Sequence, residues 1–234
     1  MHNALPGCSP LRYVSRVDFI MHQDQMAQAR CREMGGFNGD RIAECKLSTL
    51  YAAGTDWLKV VVEKSDLSQS NLTGARVRET MIAHTALRRS RLAQTRLERV
   101  EFYFDDLNEL DLTGASARRC KWHGCEAMNA IFSGAQIAVS RFEDTKLYRA
   151  KFDGAIIIRT VFLDARLGGA SLEKADFTGA RLIDVSLKNA NLMGAIFRDA
   201  TLVGVDLTDA ALAGADFRGA KLFGCHIPEN LVLP

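Results

Sequence analysis

Residues 120–126, Cys-Lys-Trp-His-Gly-Cys-Glu, put two thiols and an imidazole within seven positions. Such a set could ligate a metal or hold an activated nucleophile. Its spacing argues against both. The six cysteines (Cys8, Cys31, Cys45, Cys120, Cys125 and Cys225) include no Cys-x-x-Cys pair, and no Cys/His cluster has zinc-ligand spacing. His84 and His123 fall on outward positions, and no Ser/His/Asp set, phosphate loop or carboxylate pair stands out. The sequence therefore predicts no catalytic, cofactor-binding or metal-binding residues, no cofactor, and a protein that is not an enzyme.

Arginine offers a second chemistry, the recognition of anions. Residues 76–99 hold seven Arg against two Glu, and Glu101, Asp105, Asp106, Glu109 and Asp111 follow at once, although the whole chain is only +2. Arg76, Arg78, Arg96, Arg99, Arg118 and Arg119 are the candidate partner-binding residues of a basic face, suited to an acidic protein surface or a phosphate backbone. The structural alternative is a ladder of surface pairs through Arg78, Glu98 and Arg118. No aromatic residues interleave these arginines, so nucleic acid is not the expected partner.

The element that must position these residues is a repeat. From Val62 to Val232 every fifth residue is apolar, 35 positions without a slip. Two residues before each centre, 33 positions from Ser65 to Cys225 hold Ala, Ser, Thr, Cys or Val, with Asp105 and Leu110 the exceptions. A period of five drifts around a helix and alternates faces on a flat strand, so neither can bury the column. The chain has to turn a corner about once per repeat, and small residues mark where backbone passes close by.

This two-column pattern resembles the pentapeptide-repeat family, whose motif of Ala, Asp or Asn, Leu and two variable residues stands out in "ADFTG" (175–179), "ANLMG" (190–194), "VDLTD" (205–209) and "ADFRG" (215–219). The resemblance implies an all-β fold, a right-handed quadrilateral β-helix in which four repeats make one 20-residue coil. Residues 1–36 form a non-repeat segment, in which 22–36 read as a short helix ended by Gly35, and 37–234 form the β-helix, regular from about 62. Two stretches depart from the pattern. Ala52 and Trp57 as centres, with Leu50 and Val60 in the small column, predict an irregular coil or a protruding loop over 47–65. Asp105 and Leu110 predict a bulged corner.

A filled rod has no ordinary cleft, so function is expected on its outer faces. Stepping by 20 residues, Leu163, Ile183, Val203 and Phe223 follow successive centres on one face and predict an apolar stripe for a partner or a homodimer. The last coil, with Ile227 and Val232 in register, is a second homodimer surface. The expected role is a non-enzymatic protein-protein interaction scaffold or adaptor, including secretion-system accessory or effector roles seen in similar proteins. The alternative is a DNA gyrase-interacting protein giving inhibitor tolerance by DNA mimicry, against which residues 62–234 hold 23 basic and 22 acidic side chains. No run approaches a membrane span and the start lacks a secretory signal pattern, so a cytoplasmic location is expected, with export only by a signal-peptide-independent system.

Overall fold

The computed structural model describes residues 34–227 together with Ala27 and Gln28. Its chain path follows from one backbone conformation used repeatedly. Every fifth residue from Gly39 to Gly224, two places after a centre, has a positive φ, and most of these residues are not glycine. A left-handed residue reverses the local direction of the chain, and repeating it every five residues folds the chain into a square. At Val139 a β-branched side chain is held at φ 55°, a conformation such residues ordinarily avoid.

Each square coil lies on the next with an offset of 20 residues, and all pairings are parallel. The first face is a seven-stranded sheet running from Gly36–Asn38 to Ile156–Ile158, and the second is a ten-stranded sheet running from Arg41–Ala43 to Lys221–Phe223. The third and fourth faces pair through single bridges such as Lys46 with Asp66 and Tyr51 with Asn71. Ten stacked strands at strand spacing make a solenoid about 43 Å tall. Among residues 34–227 no helix occurs.

The centres fill the interior. Residues 20 apart sit directly above one another, so aromatic centres stack face to face: Trp122 lies 4.3 Å from Phe142, which lies 4.7 Å from Phe162, with planes within 4° of parallel. Phe132 and Phe152 stack at 4.5 Å on the fourth face. Opposite faces meet edge to face across the interior, as Phe132 does with Phe142 at 6.0 Å. Volume is conserved within a coil. Trp122 and Phe132 share theirs with Ala117 and Ala127, all four buried.

The small column solves a hydrogen-bonding problem at the corners. Its amides are buried, and where an alanine stands there the amide bonds within the turn, as Ala75 donates to the carbonyl of Leu72 at 2.9 Å. Serine offers a second solution by accepting from the coil below: Ser70 Oγ accepts the amide of Leu50 and Ser90 Oγ that of Ser70, at 3.1 and 3.2 Å. The family's Asp or Asn has its own task. Asp206 Oδ1 accepts the amide of Thr208 at 2.9 Å and Asp216 Oδ1 that of Arg218 at 3.1 Å, bracing the turn around the centre between them.

Both expected irregularities are absent. Over 47–65 the coil is regular, with Ala52, Trp57, Val60 and Leu50 all buried, because the large Leu50 sits beside the small Ala52. The corner at 105–110 carries no bulge: Leu110 is buried beside Ala130, and the register continues from Glu101–Tyr103 to Lys121–His123. Asp105 is buried and does the work of the serines, accepting the amides of Thr85 at 2.8 Å and Tyr103 at 3.0 Å. The regular coils therefore begin at 36, not near 62. Most of the expected helix over 22–36, and the end of the last coil beyond Ile227, lie outside the described residues.

Candidate functional site

The interior offers little to chemistry. Cys120 and Cys125 are buried in the small column, where burial pushes both thiols up to about 12. Cys225, in the last described coil, is only partly buried. Cys45 is disulfide-bonded. Among the described residues no group of His, Cys, Asp and Glu could hold a metal.

The six arginines singled out from the sequence do come together on the first face and its corner, and all are exposed. Arg76 pairs in register with Arg96, and Arg78 with Glu98, which pairs with Arg118. Their charge is partly answered. Asp56 lies 3.9 Å from both Arg76 and Arg78, and Glu79 lies 3.3 Å from Arg99. Arg96, Arg118 and Arg119 form no ion pair among the described residues.

The acidic run 101–111 does not make an acidic face. The coil distributes it over three faces and one corner, and the 20-residue offset sets it against the preceding arginines. Arg88 binds Asp106 at 2.8 Å and Arg89 binds Glu109 at 2.9 Å. The Arg89 guanidinium holds the Glu109 carboxyl below the usual carboxylate range. The segregation seen along the chain is a consequence of reading it linearly.

The four apolar residues of the second face stand in one column. Leu163 pairs with Ile183, Ile183 with Val203 and Val203 with Phe223, in one column of the second-face sheet. Leu163, Ile183 and Val203 are half-buried by their flanking side chains, and Phe223 is 56% exposed. Ile156 and Ile158 belong to the first face, and the corner column between the two faces carries exposed Val139.

Higher on that second face lies a cluster that the sequence reading passed over. Tyr103 and His123 stand in the same outward column as the stripe, and His84 and Phe104 occupy the corner beside it. His84 stacks on Phe104 at 5.5 Å, and Phe104 meets His123 edge to face at 5.1 Å. Gly124 makes this possible: a Cβ there would fall 2.4 Å from the Phe104 ring, so only a glycine leaves room for it. Charged groups frame the rings. Lys121 Nζ stands 5.0 Å over Tyr103, whose hydroxyl donates to Glu101 at 2.6 Å, a bond that pushes the phenol up to about 12. Glu143, 3.7 Å from His123, is held low chiefly by Arg141 at 2.9 Å. The signal was in the sequence, since His84 with Phe104 and Tyr103 with His123 are also 20 residues apart.

These features define a four-faced parallel β-solenoid with a filled core, a scaffold whose outer columns are its variable surface. The family model for pentapeptide repeats matches residues 160–199 and 197–227, with eight copies. The same five-residue structure runs without interruption through the rest of the described chain, which is built of pentapeptide repeats like those of that family. Among solved structures it is similar to full-length QnrB1, a plasmid-mediated fluoroquinolone resistance protein, at 19% identity over 80% of this chain and 92% of that one, with a TM-score of 0.50. It is also similar to HetL, a pentapeptide repeat protein involved in heterocyst differentiation regulation from the cyanobacterium Nostoc sp. strain PCC 7120, at 22% identity over 82% of this chain and 93% of that one, TM-score 0.41. At these identities the likeness speaks for the fold alone. No curated protein sequence matches the chain.

Proposed function

We propose that this protein is a non-enzymatic scaffold that binds another protein, or a second copy of itself, through the second face of the solenoid. The observation that carries the reading is the column in register from Leu163 through Ile183 and Val203 to Phe223, with Tyr103 and His123 in the same column nearer the middle of the sheet, beyond Glu143, and Phe104 at the corner beside them. Apolar and aromatic side chains on a rigid sheet form a contact surface at small cost in side-chain entropy. The arginines of the first face would act around its edge, steering an acidic partner more than holding it. Light scattering on the wild type and on the Ile183→Asp, Phe223→Asp double variant tests the self-association form. A wild-type dimer that the double variant splits is the expected result, and a wild type already monomeric at high concentration removes the stripe and the last coil as homodimer surfaces.

A second reading, protection of a topoisomerase, draws on the shared fold with a fluoroquinolone resistance protein and on one local feature. Asp144, Asp164 and Asp184 stack at one corner of three successive coils, a short acidic line on a near-neutral rod. Gyrase supercoiling assayed with a fluoroquinolone, with and without this protein, discriminates. Rescue at stoichiometric protein supports it, and no rescue in excess removes it.

A further inference from the structure

On the outside of the solenoid, the residue immediately after each centre carries a side chain at every repeat from Asn38 to Phe223 except at Gly168. With Gly169 beside it, Gly168 leaves bare backbone on the third face, the floor of a cavity of about 600 Å3. That size suits a small ligand. Met128 and Tyr148 stand on the two preceding coils of the same column and Lys188 on the following one. The exposed Tyr148 ring leans over the floor, within 3.4 Å of where a Gly168 Cβ would be. Asn129, Arg149 and Asn189 line the corner side.

Part of the floor is committed to the coil stack: the Arg149 amide donates to the Gly168 carbonyl at 3.1 Å and the Gly169 amide to the Lys188 carbonyl at 2.9 Å. The side chains are different. Along the third face ion pairs follow coil by coil, Arg88 with Asp106, Arg89 with Glu109 and Lys146 with Glu126 at 2.7 Å. At the notch the pairing stops: Arg149 and Lys188, which line it, make no ion pair among the described residues, nor does Arg166 two places before Gly168, and the carboxylates of Asp144, Asp164 and Asp184 at the preceding corner do not reach them. Lys188 only helps hold the Asp206 carboxyl low from the next coil. Unpaired positive charge, which the first face also carries at Arg96, Arg118 and Arg119, here borders a cavity walled by an aromatic ring and a thioether.

We propose that this notch binds a phosphate ester of a planar ring, the chemistry of a nucleotide. The ring would lie against Tyr148 and Met128, where any base has a π-face to offer. The phosphate would sit between Arg149 and Lys188, with Arg166 alongside. The side-chain amides of Asn129 and Asn189 would meet the polar edge of the base or sugar. This site is on a different face from the protein-contact surface and stands or falls separately from it.

Calorimetric titration of the full chain with AMP, inorganic phosphate and adenosine tests the assignment. One AMP per chain is expected, with inorganic phosphate and adenosine each at least tenfold weaker and with affinity falling as salt rises. Gly168→Leu, which fills the notch, and Lys188→Gln are each expected to weaken AMP binding tenfold or more. Gly168→Leu should fold, because Leu58 and Leu163 occupy the equivalent position elsewhere and Gly168 is not in the left-handed region; its melting curve checks this. Arg78→Glu with Arg96→Glu, on the first face, should leave AMP binding unchanged. No AMP binding at millimolar concentration overturns the proposal, as does inorganic phosphate binding as tightly as AMP. Binding that survives both notch variants, or that is lost with the first-face variant, overturns it equally.

Discussion

Replacing Asp105 by serine should make this protein more stable at pH 8 and change how its stability depends on pH. The carboxyl is buried in the small column, and burial raises it from an ordinary 3.8 to about 7, outweighing the two backbone amides of Thr85 and Tyr103 that favour its charged form. A folded-state pKa above the unfolded one means that the native state holds the proton more tightly. The stabilising contribution is therefore complete below about pH 3.8 and is lost as pH rises through about 7. At about 1.36 kcal/mol per pKa unit, the loss between pH 5 and pH 8 is about 3 kcal/mol. Serine keeps an acceptor for the amide below, as Ser140 does for the amide of Cys120 at 3.1 Å, and carries no titrating group. Urea unfolding followed by circular dichroism at pH 5, 6, 7 and 8 measures the difference between the two proteins, in which all other ionisations cancel. The variant should gain on the wild type steadily across that range. Parallel stability curves for the two proteins would refute the claim that Asp105 is protonated in the fold near neutrality.

Two further outcomes follow from the corners and the small column. Val139→Gly should raise the melting temperature, because a left-handed β-branched residue at an exposed corner costs about 1–2 kcal/mol, more than the added chain entropy of glycine; a lower melting temperature would show that the corner is not strained. Brief iodoacetamide treatment at pH 8, read by peptide mass spectrometry, should label Cys225 and leave Cys120 and Cys125 unmodified until denaturant is added, as their burial and thiols near 12 require.

How much of this was legible in the chain depends on whether the relevant neighbour is five residues away or twenty. The core column from Val62 onward and the small column beside it repeat locally, and their burial was readable directly. Leu50 and Asp105 looked like defects because each was compared with its column average. Their compensation comes from particular neighbours, Ala52 within the coil for Leu50 and the amide of Thr85 in the preceding coil for Asp105. Charge was misread for the same reason: the arginines at 88 and 89 look unbalanced until Asp106 and Glu109 are laid over them. The apolar stripe and the aromatic–histidine cluster are both legible at a 20-residue step and at no shorter one. Gly168 carries no signal of its own, since glycine is common two places after a centre; only its position one place earlier distinguishes it.

The 20-residue offset between coils also makes the solenoid a ruler with a fixed graduation. Deleting or duplicating one whole coil would shorten or lengthen it by about 4.8 Å and leave every remaining column in place. Gaining a single repeat of five residues would preserve the core but turn every later outer column through a quarter of a circle, carrying Phe223 away from Tyr103's face. Gaining one residue would put the core itself out of register. Length in such a protein can therefore vary freely only in whole coils, and the surface pattern is inherited in the same increments.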